Sequence, residues 1–387
     1  MLDIHPTPPL IALILGVLLL LLPLILIPQL KGWTKHSSSR LNNLWHWHWR
    51  RQSSEIVSLR MYPIKSCRGF EVQSTILKEH GLDLDRRWML VDASTNEFLT
   101  IRQIPDMTRI GTGLSADGSE LVITIPNPSK TESKSTDKKH AVTTVRIPSH
   151  PSPEWLEINT VVASVKIWDN DTDGYIYSDA INAPFSEFMG RAVALVYKGP
   201  TPRVLKGNGA PKLLGRVQSI GFPDVFPILI ASEASLAELN TRLRRIDVDP
   251  ITVERFRPNI IVRGETPWVE DSWKTVRIRT CTSTKKTVSD TSGTGISKQK
   301  VNHPPLDLDI VARCARCQVP NVDPDTAVKH KKQPWDTLVS YRRVDEGIKY
   351  KPCFGMLAAP RSEGLVEVGM KLEVLEETNQ HRYVTGF

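Results

Sequence analysis

Residues 306–326 read LDLDIVARCARCQVPNVDPDT, and this stretch joins an alternating apolar pattern directly to two cysteines and a turn. Apolar residues at 306, 308 and 310 alternate with aspartates, which is the period of a half-buried β-strand. Cys314 and Cys317 follow beside Arg313 and Arg316. Nearby positive charge keeps a thiol ionised, and a thiolate is a soft ligand that suits a transition metal. The stretch therefore predicts a strand that leads to a candidate functional thiolate.

Similar β-rich runs, bounded by Gly, Asp or Pro, recur along the chain. They lie at 56–62, 87–92, 120–125, 259–263, 275–278 and 369–375. Helical spacing occurs at 180–190 and 232–245, and Ser232 resembles the N-cap of the second helix. We therefore predict a mixed α+β fold that is dominated by strands.

Composition divides the chain into four parts. The polar runs 127–144 and 280–302 have almost no apolar residues and predict surface insertions. We predict an N-terminal transmembrane signal anchor at 1–30 and a polar basic tether at 31–53. A strand-rich domain at 54–197, with an insertion near 127–150, and a second at 198–378, with an insertion near 280–302, complete the prediction.

The predicted anchor depends on an uncharged apolar run from Leu10 to Ile27 that continues to Leu30. Roughly 20 such residues cross the hydrocarbon layer as a helix. A cleaved signal peptide is the alternative, but the run exceeds an apolar signal core, no Lys or Arg precedes it and no small-residue cleavage site follows. Lys and Arg follow the run, so residues 10–30 should contact membrane lipid with the bulk of the chain in the cytosol.

Charge and cysteine content narrow the class of protein. The net charge of +8 over 387 residues suits an anionic cofactor, an acidic partner protein or an anionic membrane. No helix-turn-helix, zinc-finger or RNP-like signature occurs, so no nucleic-acid partner is expected. The five cysteines are scattered and odd in number, which favours free thiols in a reducing compartment.

Two further clusters carry residue types that bind phosphate. Lys65, Ser66 and Arg86 offer an ammonium group, a hydroxyl and a guanidinium fork, and Arg257 and Asn259 add a second guanidinium with an amide. Any one such residue is more often a solvated surface group. Their significance depends on whether the fold brings them together.

The CxxC pair at Cys314 and Cys317 has other interpretations. A zinc site would need His330 and Cys353, which only the fold could bring close. A thioredoxin-like pair needs a βαβ setting, which is missing. From the motif alone, a buried structural thiol and a functional thiol both remain open.

The order of six motifs resembles the MOSC-domain proteins of the mitochondrial amidoxime-reducing component type, over roughly residues 56–375 apart from the two insertions. The motifs are YPIKSC (62–67), LDRRWMLVD (84–92), SEASLAELNTRL (232–243), FRPNIIV (256–262), EDSW (270–273) and RCARCQVPNVDPDT (313–326).

This resemblance implies a MOSC N-terminal β-barrel domain joined to a MOSC β-barrel domain, with the molybdenum cofactor (molybdenum-bound molybdopterin) held in the cleft between them. It implies Cys317 as the thiolate on molybdenum. The residues implied to bind the pterin and its phosphate are Lys65, Ser66, Arg86, Arg257, Asn259 and Arg316.

The resemblance also implies an activity and a location. It implies an oxidoreductase that reduces the N–O bond of small N-hydroxylated substrates. The electrons would come from cytochrome b5 and its NADH-dependent reductase, and the catalytic domain would face the cytosol from the mitochondrial outer membrane.

Some residues depart from the family pattern. Val225 and Phe226 replace small or hydroxyl residues, and Met356 and Leu357 replace amide side chains. The alternative function is a sulfur-carrier or molybdenum-cofactor-handling module, in which Cys317 would carry a persulfide.

Overall fold

Short strands are the predominant regular element of the described residues. In the computed structural model, which describes residues 52–127, 142–280 and 303–386, the strands are β1 (Ser53–Met61), β2 (Phe70–Val72), β3 (Ser74–Lys78), β4 (Gly81–Leu82), β5 (Trp88–Asp92), β6 (Gly111–Leu114), β7 (Glu120–Pro126), β8 (Val142–Pro148), β9 (Thr160–Ile167), β10 (Asn170–Tyr177), β11 (Val193–Lys198), β12 (Arg203–Val204), β13 (Ser219–Ile220), β14 (Ile228–Ser232), β15 (Ile260–Val262), β16 (Trp273–Arg279), β17 (Leu306–Ala315), β18 (Cys353–Pro360), β19 (Gly364–Glu367) and β20 (Lys371–Glu377).

Helices are few and short among these residues. The α-helices are α1 (Pro153–Asn159), α2 (Asp179–Met189), α3 (Pro211–Leu214), α4 (Glu233–Arg244) and α5 (Trp335–Tyr341). Short 3₁₀ turns lie at Pro105–Arg109, Gly207–Gly209, Val253–Phe256, Val269–Ser272, Val319–Asn321 and Glu346–Ile348. The predicted strand-dominated α+β fold is confirmed.

Seven strands close into a barrel in the order β15-β14-β18-β17-β16-β20-β1, with β1 pairing back to β15. Six of the neighbouring pairs are antiparallel, and β14–β15 is parallel. A ring with an odd number of strands cannot alternate direction throughout, so one pair must be parallel. Parallel neighbours need a crossover, and α4 supplies it.

Helix α4 begins as its sequence predicts. The Ser232 hydroxyl accepts a hydrogen bond from Ser235 N at 3.4 Å, which caps the first turn. Leu239 and Leu243 are buried on one face, where they pack with Phe256 and Phe354. The crossover therefore covers the outside of the barrel next to its parallel pair.

The barrel interior is filled by alternate side chains of its strands. In β17 the residues at 306, 308, 310 and 312 are buried, as the alternating pattern predicts. The larger apolar side chains of this core include Ile56, Leu59, Ile230, Ile260, Trp273, Val276, Leu308, Ile310, Met356 and Leu372.

Strand β1 lies at the start of the first predicted domain, yet it pairs with strands near the end of the chain. Ile56 is in register with Val262, and Ser53 with Glu373. The residues that follow form a four-stranded sheet, β5-β11-β10-β9, and a three-stranded sheet, β6-β7-β8, around a separate core. Pairing between distant segments leaves no local signal in the sequence.

The two predicted insertions lie largely outside the described residues. The chain is described again from residue 142, where β8 begins, so residues 142–148 of the region predicted as an insertion form a strand instead. Alternate residues of β8 are buried against the N-terminal core. The polar composition of the region gives no sign of this burial.

No helix in residues 52–127, 142–280 and 303–386 combines the length and apolar character needed to cross a membrane. The anchor predicted at 1–30 and nearly all of the tether predicted at 31–53 lie outside the described residues.

Candidate functional site

A cavity of about 220 Å³ opens where loops after β1 and β5 meet one end of the barrel. The fold brings to this cavity all seven side chains that the sequence singled out, which are Lys65, Ser66, Arg86, Arg257, Asn259, Arg316 and Cys317. Other lining residues include Arg102, Asp224, Val225, Phe226, Leu229, Cys314, Lys351, Leu357, Tyr383 and Thr385.

Three of these side chains belong to residues with an unusual backbone conformation. Ser66, Arg86 and Arg257 have φ values of 70°, 49° and 58°, in the left-handed region that residues other than glycine rarely adopt. Arg86 N donates to Tyr62 O at 2.9 Å, and Arg257 N donates to Glu254 O at 2.9 Å. Such strained positions persist where the surrounding structure holds them, and they concentrate at functional sites.

The cation beside Cys317 is Arg102. Burial opposes the charge on Arg102, but the neighbouring Asp224 and Cys317 together raise the pKa of its guanidinium above the usual value. Arg102 also lies over the Trp168 ring, with 4.8 Å between the guanidinium carbon and the ring centre. A loop of the N-terminal part therefore supplies the positive charge next to this sulfur.

The prediction that Arg313 and Arg316 supply positive charge to the thiols is confirmed for Arg316 at Cys314 and is wrong for Arg313. Arg316 Nη1 donates to Cys314 Sγ at 3.1 Å, although burial still raises the pKa of the Cys314 thiol. Arg313 forms ion pairs at 3.5 Å with Asp271 and with Asp345, away from the cavity. Arg313 lies within β17 and Arg316 follows its last residue, so closeness in sequence does not place both guanidinium groups at one sulfur.

Lys65 is buried, with 5% of its surface exposed. Its ammonium group donates to Phe222 O at 3.0 Å and to the carboxylate of Asp224. Burial lowers the pKa of Lys65 to about 8, although Asp224 favours the charged form. Burial also opposes ionisation of Asp224, but Lys65 and Arg102 hold its pKa below the usual range. This pair places one carboxylate among the cations of the cavity.

Arg86 and Arg257 lie against the same ring, that of Tyr62, at 4.9 and 4.3 Å from its centre. Arg86 Nη1 donates to Asp85 Oδ2 at 2.5 Å, and Arg257 Nη1 donates to Cys67 O at 2.7 Å. Burial and the charge of Arg86 lower the pKa of Arg257 to about 10. Two half-buried cations therefore share a site, and only one of them, Arg86, forms a hydrogen bond with Asp85.

Two buried donors in the wall of the cavity lack a hydrogen-bond acceptor. They are Nη2 of Arg257 and Nε of Arg316, for which no partner lies among the described residues. A buried donor without an acceptor is costly. Both guanidinium groups line the cavity, which makes them candidate donors to an anionic ligand.

The side chains of Ser66 and Asn259 already have protein partners. Ser66 Oγ accepts from Ile101 N at 3.3 Å. Asn259 Oδ1 accepts from Leu229 N at 3.1 Å, and its Nδ2 donates to Arg60 O at 3.3 Å. Asn259 therefore ties the ends of β1 and β14 together at the cavity.

The lining residues make the cavity an anion site with one apolar side. Six cationic side chains line it, against the single carboxylate of Asp224; the cations are Lys65, Arg86, Arg102, Arg257, Arg316 and Lys351. Opposing charges and guanidinium forks suit phosphate. No three His, Cys, Asp or Glu side chains in the described chain cluster closely enough to hold a metal ion.

The residues that depart from the family pattern lie in different places. Val225, Phe226 and Leu357 line the cavity and make part of its surface apolar. Met356 is buried in the barrel core instead. Only three of the four departures can therefore contact a ligand directly.

Sequence reasoning missed Arg102, Asp224, Tyr383 and Thr385. Arg102 is an isolated arginine in a loop, and no pattern distinguishes it from a surface charge. Asp224 lies directly before Val225 in a Pro-Asp turn, which was an available signal. Tyr383 and Thr385 lie beyond the last predicted strand, and only tertiary packing brings them to the cavity.

Two domain families match the chain. Residues 53–192 match the MOSC N-terminal beta barrel domain, and residues 217–373 match the MOSC domain. These matches confirm the resemblance that the ordered motifs indicate.

Proteins similar to this chain carry two kinds of name. Mitochondrial amidoxime-reducing component 1 of Homo sapiens is 26% identical over 328 residues, which are 82% of this chain and 82% of that protein. Mitochondrial amidoxime reducing component 2 of Rattus norvegicus is 26% identical over 336 residues, 83% of this chain and 84% of that protein. Molybdenum cofactor sulfurase of Arabidopsis thaliana is 32% identical over 316 residues, 79% of this chain but 33% of that protein. The chain thus spans about a third of the length of the plant sulfurase.

Proposed function

Because this chain belongs to the MOSC-domain proteins, we propose that it is a molybdenum cofactor-dependent oxidoreductase that reduces N-hydroxylated compounds. The observation that carries the proposal is a cavity that Cys317 lines together with six cationic side chains. The amidoxime-reducing components support it further, since they match this chain over more than four fifths of both lengths.

Each group of residues would have a separate task. Cys317 would bind the metal through its sulfur, because a thiolate is a soft ligand. Arg257 and Arg316 have buried donors without acceptors, which would bind the anionic part of the cofactor, with Lys65 and Arg86 beside them. Ser66 and Asn259 would position the loops that carry these groups.

The bound cofactor would supply the redox chemistry. Reduction of an N-hydroxylated compound consumes two electrons and two protons, breaks the N–O bond and releases one water. Phe226, Leu229 and Leu357 would hold the organic part of the substrate, because they form the apolar side of the cavity.

Elemental analysis of the chain from residue 52 onward tests this proposal. Protein from a host that makes the cofactor should contain about one molybdenum per chain, as a single thiolate site requires. It should also reduce a simple N-hydroxylated compound with reduced cytochrome b5. Metal-free protein from such a host would reject the proposal.

A pH dependence should arise from Lys65. Its pKa of about 8 lies below the usual 10.5, so the folded chain binds fewer protons than the unfolded chain between these values. The free energy of unfolding of cofactor-free protein should therefore gain about 2–3 kcal/mol as the pH rises through this range. Retention of the anionic cofactor should fall between about pH 7 and 9, because Lys65 in the folded chain loses its charge around its pKa of about 8.

Lys65→Met tests this assignment, since methionine has a similar length and no charge. The variant should retain less molybdenum at pH 7, and its retention should not change between pH 7 and 9. Lys212→Met is the matched control, because Lys212 is exposed on α3 and should leave both profiles unchanged. An unaltered profile in Lys65→Met would assign the pH dependence elsewhere.

Cytochrome b5 and its NADH-dependent reductase are the proposed electron donors. The net charge of +8 favours an acidic partner. Lys351 lines the cavity, and Lys349 and Tyr350 are exposed beside it, so a donor docked at this rim would lie close to the cofactor. Reduction that proceeds equally well without cytochrome b5 would reject this partner.

The proposed location is the mitochondrial outer membrane, with residues 10–30 in the lipid and the catalytic part in the cytosol. Protease added to intact mitochondria should then remove the catalytic part. Protection from the protease would overturn this topology.

A second candidate function is favoured by the 32% identity with the plant molybdenum cofactor sulfurase. In this function Cys317 would carry sulfur as a persulfide for cofactor handling. A trapped persulfide at Cys317 in protein that lacks molybdenum would support it.

A further inference from the structure

The C-terminal segment at 378–386, which we name the C-terminal strap, reaches the cavity after the barrel has ended. It follows β20 and lies beyond residue 373, where the MOSC match ends. Tyr383 and Thr385 nevertheless line the cavity together with Cys317. The strap is therefore a wall of the candidate site that neither matched domain includes.

Side chains of the barrel and its loops hold the first half of the strap. His381 Nε2 donates to Trp273 O at 2.6 Å, and Arg313 Nη1 donates to His381 O at 3.0 Å. The Asp345 carboxylate accepts from Tyr383 N at 2.8 Å and also from Gly347 N at 2.9 Å. These contacts explain the buried position of Asp345 and give Arg313 a partner other than the cavity thiols.

The side-chain amide of Asn208 binds the second half of the strap through both its nitrogen and its oxygen. Its Nδ2 donates to Arg382 O at 2.9 Å, and its Oδ1 accepts from Val384 N at 2.7 Å. The neighbouring Gly207 has a φ of 54°, and a Cβ there would lie 2.4 Å from Val384 O. This close approach requires glycine, so the loop at 207–209 is shaped to receive the strap.

Tyr383 closes the apolar side of the cavity. It is 8% exposed and packs in one cluster with Phe226, Leu229 and Leu357. A Cβ at Gly347 would lie 2.0 Å from Tyr383 O, so the loop beneath this tyrosine also depends on glycine. Thr385 is exposed and lies at the opening. The strap thus carries one residue of the inner wall and one of the entrance.

We propose that the C-terminal strap sets the size of the organic group that can reach Cys317, with Tyr383 and Thr385 as the specificity-determining residues. The cationic side of the cavity suits an anion. The apolar side, which the strap closes, is therefore the part that suits an apolar group. The identity of that group as part of an N-hydroxylated substrate rests on the proposed function. The control of access to Cys317 does not.

Alkylation of Cys317 measures this access directly. The full chain is purified from a host that cannot make the molybdenum cofactor, and peptide mapping follows Cys317 with iodoacetamide as the small reagent and a pyrene-bearing maleimide as the bulky one. Asn208→Ala removes two hydrogen bonds to the strap, so the bulky reagent should react about tenfold faster. The rate with iodoacetamide should change less than about twofold, as expected if small reagents already pass the wall.

A chain that ends at Glu377 is the second variant, and it should bring the two rates close together. Asn159→Ala is the matched control, because Asn159 donates a single hydrogen bond to Trp155 O at the end of α1, in the N-terminal part. It should leave both rates unchanged. Asn208→Ala keeps the test decisive even if the shortened chain does not fold.

Two outcomes would overturn the inference: a bulky-reagent rate in Asn208→Ala equal to that of the unaltered chain, or equal increases for both reagents. Loaded enzyme gives the second readout, since Asn208→Ala should lower the KM of a bulky N-hydroxylated compound and leave that of a small one unchanged. Altered alkylation of the cofactor-free chain, together with no reduction of N-hydroxylated compounds by protein from a host that makes the cofactor, would support the strap and reject the proposed function. The two failures are therefore distinguishable.

Discussion

Cys317→Ala should leave the chain folded and remove its molybdenum, from about one atom per chain to roughly none, as expected when the single protein ligand is lost. The Cys317 side chain faces the cavity and belongs to none of the buried apolar clusters of the described residues. Its loss should therefore change the melting temperature little. Reduction of N-hydroxylated compounds should disappear with the metal. Elemental analysis, thermal unfolding and a turnover assay on one preparation measure all three.

The matched control is Cys353→Ala, which makes the same chemical change in a buried thiol. Cys353 begins β18, and burial raises the pKa of its thiol to about 12. This variant should retain molybdenum and lose about 1 kcal/mol of stability, as expected for a small buried truncation. Metal retained in Cys317→Ala would reject Cys317 as the protein ligand and leave Cys314, the other thiol that lines the cavity, as the candidate.

Arg257→Leu should separate stability from cofactor binding. The Arg257 side chain is half-buried beside Arg86, its buried Nη2 lacks an acceptor, and its pKa is lowered to about 10. Leucine removes this uncompensated charge, so the free energy of unfolding of cofactor-free protein should be unchanged or higher by up to about 2 kcal/mol. The same change removes a charge-assisted hydrogen bond to the cofactor, which should weaken its retention by about tenfold to a hundredfold. Denaturant unfolding and molybdenum content after dialysis measure the two effects.

Arg263→Leu is the control for this prediction. Arg263 follows β15 and is exposed, and its ion pair with Glu55 spans 3.4 Å. Exposed ion pairs contribute little to stability, so this variant should match the unaltered chain in both measurements. One result would contradict the assignment of Arg257 to cofactor binding. Arg257→Leu would destabilise the cofactor-free chain by several kcal/mol while its molybdenum content stayed constant. That pattern indicates an arginine with a purely structural role.

Local chemistry made several elements predictable. The alternation at 306–312 predicts β17 because a strand turns successive side chains to opposite faces. Ser232 predicts the start of α4 because its hydroxyl can cap a free backbone amide. The separate motifs around Lys65, Arg86, Arg257 and Cys317 resemble one family in their order, and the fold places them at one cavity.

Other features depended on pairing between distant segments. The barrel closes where β1 pairs with β15, and this pairing joins residues about 200 positions apart. The sequence of neither strand identifies the other as its partner. The cation beside Cys317 is Arg102 from an N-terminal loop, whereas the adjacent Arg313 faces Asp271 and Asp345. The arginine closest to the Cys317 thiol could therefore not be identified from the residues adjacent to it in the sequence.

The sequence by itself determined the strand-rich class, the candidate thiol and the kinds of charged group that an anionic ligand requires, because these follow from residue type and local period. Only the tertiary structure decided which cations share a cavity, which carboxylate lies among them and which segment forms its apolar wall. Electrostatic attraction and packing act over a few ångströms in space. Residues that are far apart along the chain interact only after the barrel and its loops have brought them together.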